Sequence, residues 1–127
     1  MKSTFLLAGL LLGLCCKSQP PSTVTFPPKS AELTTTATAS LDSLCTLITS
    51  DDYLKDKVVF DVFGYFTPEE AEHNRFIGVM RSKAVIDYLV QYCGLERSHW
   101  RIVDMDVKSA TYRPASAAAI TTGHTLP

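Results

Sequence analysis

Val58-Val59-Phe60-Asp61-Val62-Phe63-Gly64-Tyr65-Phe66, followed at once by Thr67-Pro68-Glu69-Glu70, is the stretch whose reading decides the fold. Its first part is nearly continuous apolar sequence. That predicts a strand over 58–65, covered on at least one face and central in its sheet. Asp61 is the one charge inside it. No histidine or second carboxylate lies nearby in sequence, so it reads as a residue leaning out at a strand edge or face rather than as a catalytic acid. Thr67 can accept a hydrogen bond from the third backbone N–H of a following helix, Pro68 suits the first helical position, and Glu70 can reach back to complete a capping box. Two glutamates at this end also favour the positive pole of the helix dipole. One long helix is expected to run from there to Cys93 and to stop at Gly94.

The period of that helix gives it a buried face of Ile77, Met80, Ala84, Tyr88 and Leu89. Asn74 and Arg81 fall near the same face. For Arg81 two readings stand side by side. Its stem can pack while its head reaches water, paired with a nearby acid, or its guanidinium can serve a ligand.

Working outward, Ser22–Phe26 is short and rich in β-formers, and Pro27-Pro28 ends it because proline cannot donate to a ladder. Thr34–Ser50 is helical by spacing, with Ala37, Leu41, Leu44 and Ile48 on one side, Leu47 beside them, and threonines 34 to 36 as capping material. Residues 51–57 read as a loop. On the other side, Trp100–Val107 alternates Val103, Met105 and Val107 with Asp104 and Asp106, a half-exposed strand. Residues 108–114 form a loop, 115–122 either a weak last strand or tail, and 123–127 a frayed end. The order β-α-β-α-β, with one further strand allowed, gives an α/β fold in the α+β sense: a two-layer sandwich with both helices on one face of a small mixed sheet.

Twelve basic and thirteen acidic residues among 127 leave a formal charge of −1, so no basic footprint for nucleic acid exists. The length suits one small domain. Residues 1–15 differ from the rest. Lys2 precedes the apolar run Phe5–Leu14, which is shorter than the ~20 residues that span a bilayer, and reads as an export signal. Cysteines 15 and 16 stop that run, as in a lipobox, and point to lipidation at Cys15 or Cys16 and so to a membrane anchor. A plain signal cut after Ser18 and an uncleaved anchor are the other readings. Residues 16–21 form a polar, proline-containing tether, and the domain covers 22–122.

Cys45 and Cys93 sit late in neighbouring helices. An exported chain meets an oxidising compartment, so a disulfide can form, but the narrow geometry of such bridges favours two buried free thiols. His73, His99 and His124 have no metal-ligand spacing, and no metal or cofactor is expected. No nucleophile elbow, phosphate loop or carboxylate pair is present, which argues against an enzyme.

Taken in order, VTFPPKSAELTTTATASLDSLCTLI, VVFDVFGY, NRFIGVMRSKAVIDYL and GLERSHWRI resemble the OmpA-like C-terminal domain, also found in peptidoglycan-associated lipoproteins and flagellar stator proteins. The resemblance covers about residues 23–107. It implies non-covalent binding of the peptidoglycan stem peptide through diaminopimelate, whose carboxylate is held by an arginine and whose ammonium by an aspartate. Arg81 falls on the family arginine, Asn74 on its asparagine, and Gly64 and Tyr65 on its turn. Phe66 and Thr67 stand where the family has Thr-Asp, so the aspartate is absent. The ligand set implied is Arg81, Asn74, Tyr65 and Thr67, in an outer-membrane lipoprotein facing the periplasm. The alternative is a degenerate module that has lost the ligand and serves a structural role or binds envelope protein partners.

Overall fold

The computed structural model describes residues 22–109 and 112–125. The export signal, the lipidation cysteines Cys15 and Cys16 and the tether lie outside the described residues. The elements are β1 (Ser22–Thr25), α1 (Thr35–Thr49), α2 (Asp52–Lys57), β2 (Val58–Gly64), α3 (Pro68–His73), α4 (Ile77–Cys93), a 3-10 turn (Arg97–His99), β3 (Trp100–Val103) and β4 (Ala117–Thr125). The four strands form one mixed sheet in the order β1-β4-β2-β3. β2 runs parallel to β3, and β4 runs antiparallel to both β1 and β2.

β2 is buried along its length except at Phe63, as its apolar run requires. Asp61 lies opposite Arg101 in the β2–β3 register, and the two form a forked pair at 2.8 and 3.0 Å. That pair accounts for the one charge in the strand. α1 is capped by Thr34, whose hydroxyl accepts from Ala37 N–H at 3.1 Å, and buries Ala37, Leu41, Leu44 and Ile48. α1 and α4 pack on the sheet and on each other. Val24, Phe26, Leu41, Ile48, Phe60, Val62, Val85 and Leu89 belong to one continuous core.

The structure corrects several expectations. The segment 51–57 holds a short helix. Asp51 caps it by accepting from the N–H groups of Tyr53 and Leu54 at 2.9 and 3.2 Å, and Leu54 plugs into the core. The long helix is two helices. Asn74 is extended (φ −153°), so α3 ends after His73 and α4 starts afresh at Ile77. The restart rotates the buried face of α4 onto Gly78, Ser82, Val85, Ile86 and Leu89, and leaves Met80 46% exposed. Gly64 and Gly78 drive that rotation. A Cβ on Gly64 would collide with the Gly78 carbonyl, and one on Gly78 would lie 2.6 Å from the Gly64 carbonyl oxygen. Two bare α-carbons therefore let the first turn of α4 rest on the end of β2. Gly94 closes α4 in the left-handed region at φ 83°, as its position predicts.

β3 stops at Val103 rather than Val107, because β2 ends opposite it and Asp106 turns the chain by accepting from Lys108 N–H at 2.9 Å. β4 is longer than expected. Residues 123–125, expected as a frayed tail, are its last three, and the strand lies inside the sheet between β1 and β2. Its buried Ala117, Ala118 and Ala119 are weak β-formers, and their small side chains suit a strand pressed under helices. Cys45 and Cys93 are joined as a disulfide, with Cα atoms 5.5 Å apart, against the expectation of two free thiols. Parallel packing of α1 and α4 brings their last turns to one level and meets the distance a bridge requires.

Candidate functional site

The site that the resemblance implies lies where the β1–α1 turn, the end of β2, α3 and α4 converge. Thr67 caps α3 as its sequence dictates. Its hydroxyl accepts from Glu70 N–H at 3.2 Å, and the Glu70 carboxylate accepts from Thr67 N–H at 2.9 Å. The capping box aims Glu70 inward, where it is 3% exposed. Arg81, one turn into α4, is fully buried.

The two side chains meet as a fork on a fork. Arg81 Nη1 donates to Glu70 Oε1 at 2.9 Å and Nη2 to Oε2 at 2.7 Å. The remaining N–H groups are taken by backbone carbonyls. Nε donates to Ser30 O at 2.9 Å, Nη1 to Tyr65 O at 3.0 Å and Nη2 to Pro27 O at 3.3 Å. A guanidinium has five N–H donors, and each has an acceptor inside the protein. The Phe26 ring covers the charge, with its centroid 5.4 Å from Cζ.

Glu70 is saturated in the same way. Besides Arg81 and Thr67, it accepts from Lys29 N–H at 2.6 Å and Ser116 Oγ–H at 2.8 Å. The Arg81 guanidinium, with help from these donors, holds the Glu70 carboxyl far below the usual carboxylate range. Lys29 is held at φ 61°, in a turn closed by Ser30 N–H on Pro27 O at 3.1 Å. That conformation is uncommon for a residue with a Cβ, and it is what points the Lys29 N–H at Glu70.

The other implied residues are placed as follows. Tyr65 is buried, gives Arg81 its carbonyl, and carries the Arg113 guanidinium over its ring at 4.5 Å. Asn74 sits at the break between α3 and α4. Its Oδ1 accepts from Phe76 N–H at 3.0 Å and its amide donates to Met80 Sδ at 3.3 Å. Arg81, Tyr65 and Thr67 thus converge on Glu70 and its loops, while Asn74 shapes the start of α4. Of the two readings of Arg81, the pairing with a nearby acid is present, with Glu70 in its fork, but the head is buried instead of reaching water. The signal for Glu70 was its place in the capping box, which fixes the direction of its side chain.

Beside the closed pair is an open, polar groove of about 450 Å3 lined by Lys29, Glu69, Glu72 and His73. Among the described residues, no group of three histidine, cysteine, aspartate or glutamate side chains could hold a metal ion.

No family model matches this sequence, and no curated protein matches it. Solved structures do. The OmpA-like domain of FopA1 from Francisella tularensis subsp. tularensis SCHU S4 superposes with a TM-score of 0.65 over 84% of this chain and 74% of its own, at 16% identity. The periplasmic domain of MotB superposes with a TM-score of 0.58 over 80% of this chain, at 13% identity, and this chain spans 58% of it. Identities this low speak to architecture and not to ligand chemistry. The chain has the fold of an OmpA-like domain, carried by a divergent sequence.

Proposed function

We propose that this is a non-enzymatic envelope protein, anchored by lipid on Cys15 or Cys16 in the outer membrane and facing the periplasm, whose OmpA-like domain is an interaction module with its arginine site closed from within. The observation that carries the reading is the engagement of every Arg81 N–H by the protein itself. A stem-peptide carboxylate seeking the guanidinium would have to displace Glu70 and leave a second carboxylate buried without its partner. Separating such a pair costs on the order of 3–5 kcal/mol. The Cys45–Cys93 bond supports an exported location, because such bonds persist in oxidising compartments. Labelling with a radioactive fatty acid, compared between the wild type and Cys15 and Cys16 substitutions, tests the anchor.

A second reading is peptidoglycan binding beside the arginine rather than through it. The polar groove favours it: Lys29 with Glu69 and Glu72 offers a zwitterionic stem peptide both charges. Co-sedimentation with purified sacculi separates the two. The closed-site reading expects the wild type to stay in the supernatant and Glu70→Ala, which frees the guanidinium, to gain binding. Wild-type sedimentation lost in a Lys29→Gln, Glu72→Gln variant establishes the second reading. Wild-type sedimentation lost in Arg81→Lys, with the circular dichroism spectrum intact, would overturn closure.

A further inference from the structure

α3 is docked in an unusual way. A surface helix is ordinarily held by an apolar stripe. In α3 the buried residue is Glu70, whereas Pro68, Glu69, Glu72 and His73 are exposed and Ala71 is half-buried. The bonds that reach Glu70 from outside α3 converge on its carboxylate. Arg81 of α4 gives two, the Lys29 N–H of the β1–α1 turn gives one, and the Ser116 hydroxyl, next to β4, gives one. Three separate segments thus build a receptor for a carboxylate, and α3 delivers the occupant on a side chain. Lys29 is held at φ 61° with its N–H on that occupant. Such a conformation persists where the surrounding structure over-determines it, and it is a common mark of ligand clamps.

The two ends of α3 suit a hinge. Before it, the Tyr112 hydroxyl donates to the Phe66 carbonyl at 2.7 Å, and Tyr65 N–H donates to Ala117 O at 2.8 Å. After it, Asn74 is extended at φ −153° and α4 starts afresh at Ile77. Residues 67–74 therefore lie between two anchored points. The polar groove is lined from both sides of the seam, by Lys29 of the turn and by Glu69, Glu72 and His73 of α3. Undocking exposes little apolar surface of α3, because its buried side chain is a charged one. A helix this short does not persist alone, so it melts as it leaves.

We propose that α3 is a latch: residues 67–74 release as one unit, Glu70 leaves the fork of Arg81, and the receptor it vacates accepts a free carboxylate in its place. The proposal rests on the closed-site reading and supplies the regulation of that site. Glu70 is a tethered competitor at high effective concentration, so a free carboxylate prevails only when it is abundant or held by further contacts.

Native-state amide exchange on the full chain tests the motion. Lys29 lies 41 residues from Glu70 along the chain, yet Glu70 is its acceptor. Release of the latch therefore frees the Lys29 amide together with those of Ala71 and Asn74, whose acceptors are Thr67 O and Glu70 O. These three amides are expected to share one opening, about 100-fold or more frequent than that of β2. Glu70→Gln keeps the shape and removes the charge, and should lower the protection of all three about tenfold. Lys29 exchanging apart from Ala71 and Asn74, or all three opening only together with β2, overturns the latch. No guest is present in this experiment, so it reads the latch separately from co-sedimentation with sacculi, which tests closure. The receptor is tested with Glu70→Ala, which removes the occupant and keeps the donors of Arg81, Lys29 and Ser116. Sodium acetate at about 100 mM and neutral pH should raise the melting temperature of this variant by about 5 °C over sodium chloride of the same ionic strength, and leave the wild type unchanged. Equal melting in the two salts overturns the receptor. Where the variant is unfolded in chloride, recovery of its circular dichroism in acetate is the supporting result, and the wild-type exchange pattern decides the case on its own.

Discussion

The two flanks of the α4 N-terminus differ in a way that inverts ordinary surface logic. On one flank an arginine and a glutamate are buried, while on the other phenylalanine, valine and methionine face solvent. Buried ions persist only when they are paired and hydrogen-bonded, and exposed apolar clusters call for a reason. The difference teaches that one flank is held together by a buried ion pair, whereas the opposite flank leaves apolar side chains at the surface. Arg81 ties the β1–α1 turn, the end of β2 and α3 to α4.

The sharpest way to break this contrast is Arg81→Ala. It leaves Glu70 buried and uncompensated, and the expected loss is about 3–5 kcal/mol in a urea unfolding midpoint experiment. Replacing both residues with leucine should cost less than the single change, because no charge is then stranded.

Acid attacks the same pair. Folding depresses the Glu70 pKa below its ordinary value of about 4.5, so the unfolded chain takes up the proton first as pH falls. The contribution of Glu70 is fully present above pH of about 4.5 and is lost progressively below it, as pH falls toward the folded value. Glu70→Gln lacks this titration, so the stability gap between the wild type and the variant should narrow on acidification. A gap that widens would show that another group dominates.

The next effect probes the hinge between the flanks. Gly64→Ala sets a methyl group against the Gly78 carbonyl. Pushing the first turn of α4 off β2 should cost about 1–3 kcal/mol and should shift the amide resonances of both flanks. The smallest effect is on the open side. Phe76→Ser should leave stability within about 0.5 kcal/mol of the wild type in the same urea experiment, because the ring is 58% exposed.

Legibility in the sequence followed how local each signal was. The Thr67–Glu70 cap, the apolar run of β2 and the stop at Gly94 are set by residues within a few positions of one another, and they appear as the sequence predicts. β4 was barely legible, because three alanines carry little β-propensity and earn their place only from the helices above them. The break at Asn74 was hidden by apolar residues that keep a helical period across it. The Cys45–Cys93 bond depends on the alignment of two helix ends, which no spacing encodes. For Arg81 the sequence marked the position, but its partner was visible only as a capping residue. The second duty of Glu70 arises from a meeting of segments that lie 11 residues apart along the chain.

The position of β4 has a consequence for how the chain is made. It is the last strand in chain order, yet it lies between β1 and β2, two strands that form no ladder with each other. Until residue 125 is available the first and second strands have no bridge, and only the β2–β3 half of the sheet can assemble. A nascent chain therefore stays open, and its architecture locks from the middle outward once the final strand slides in.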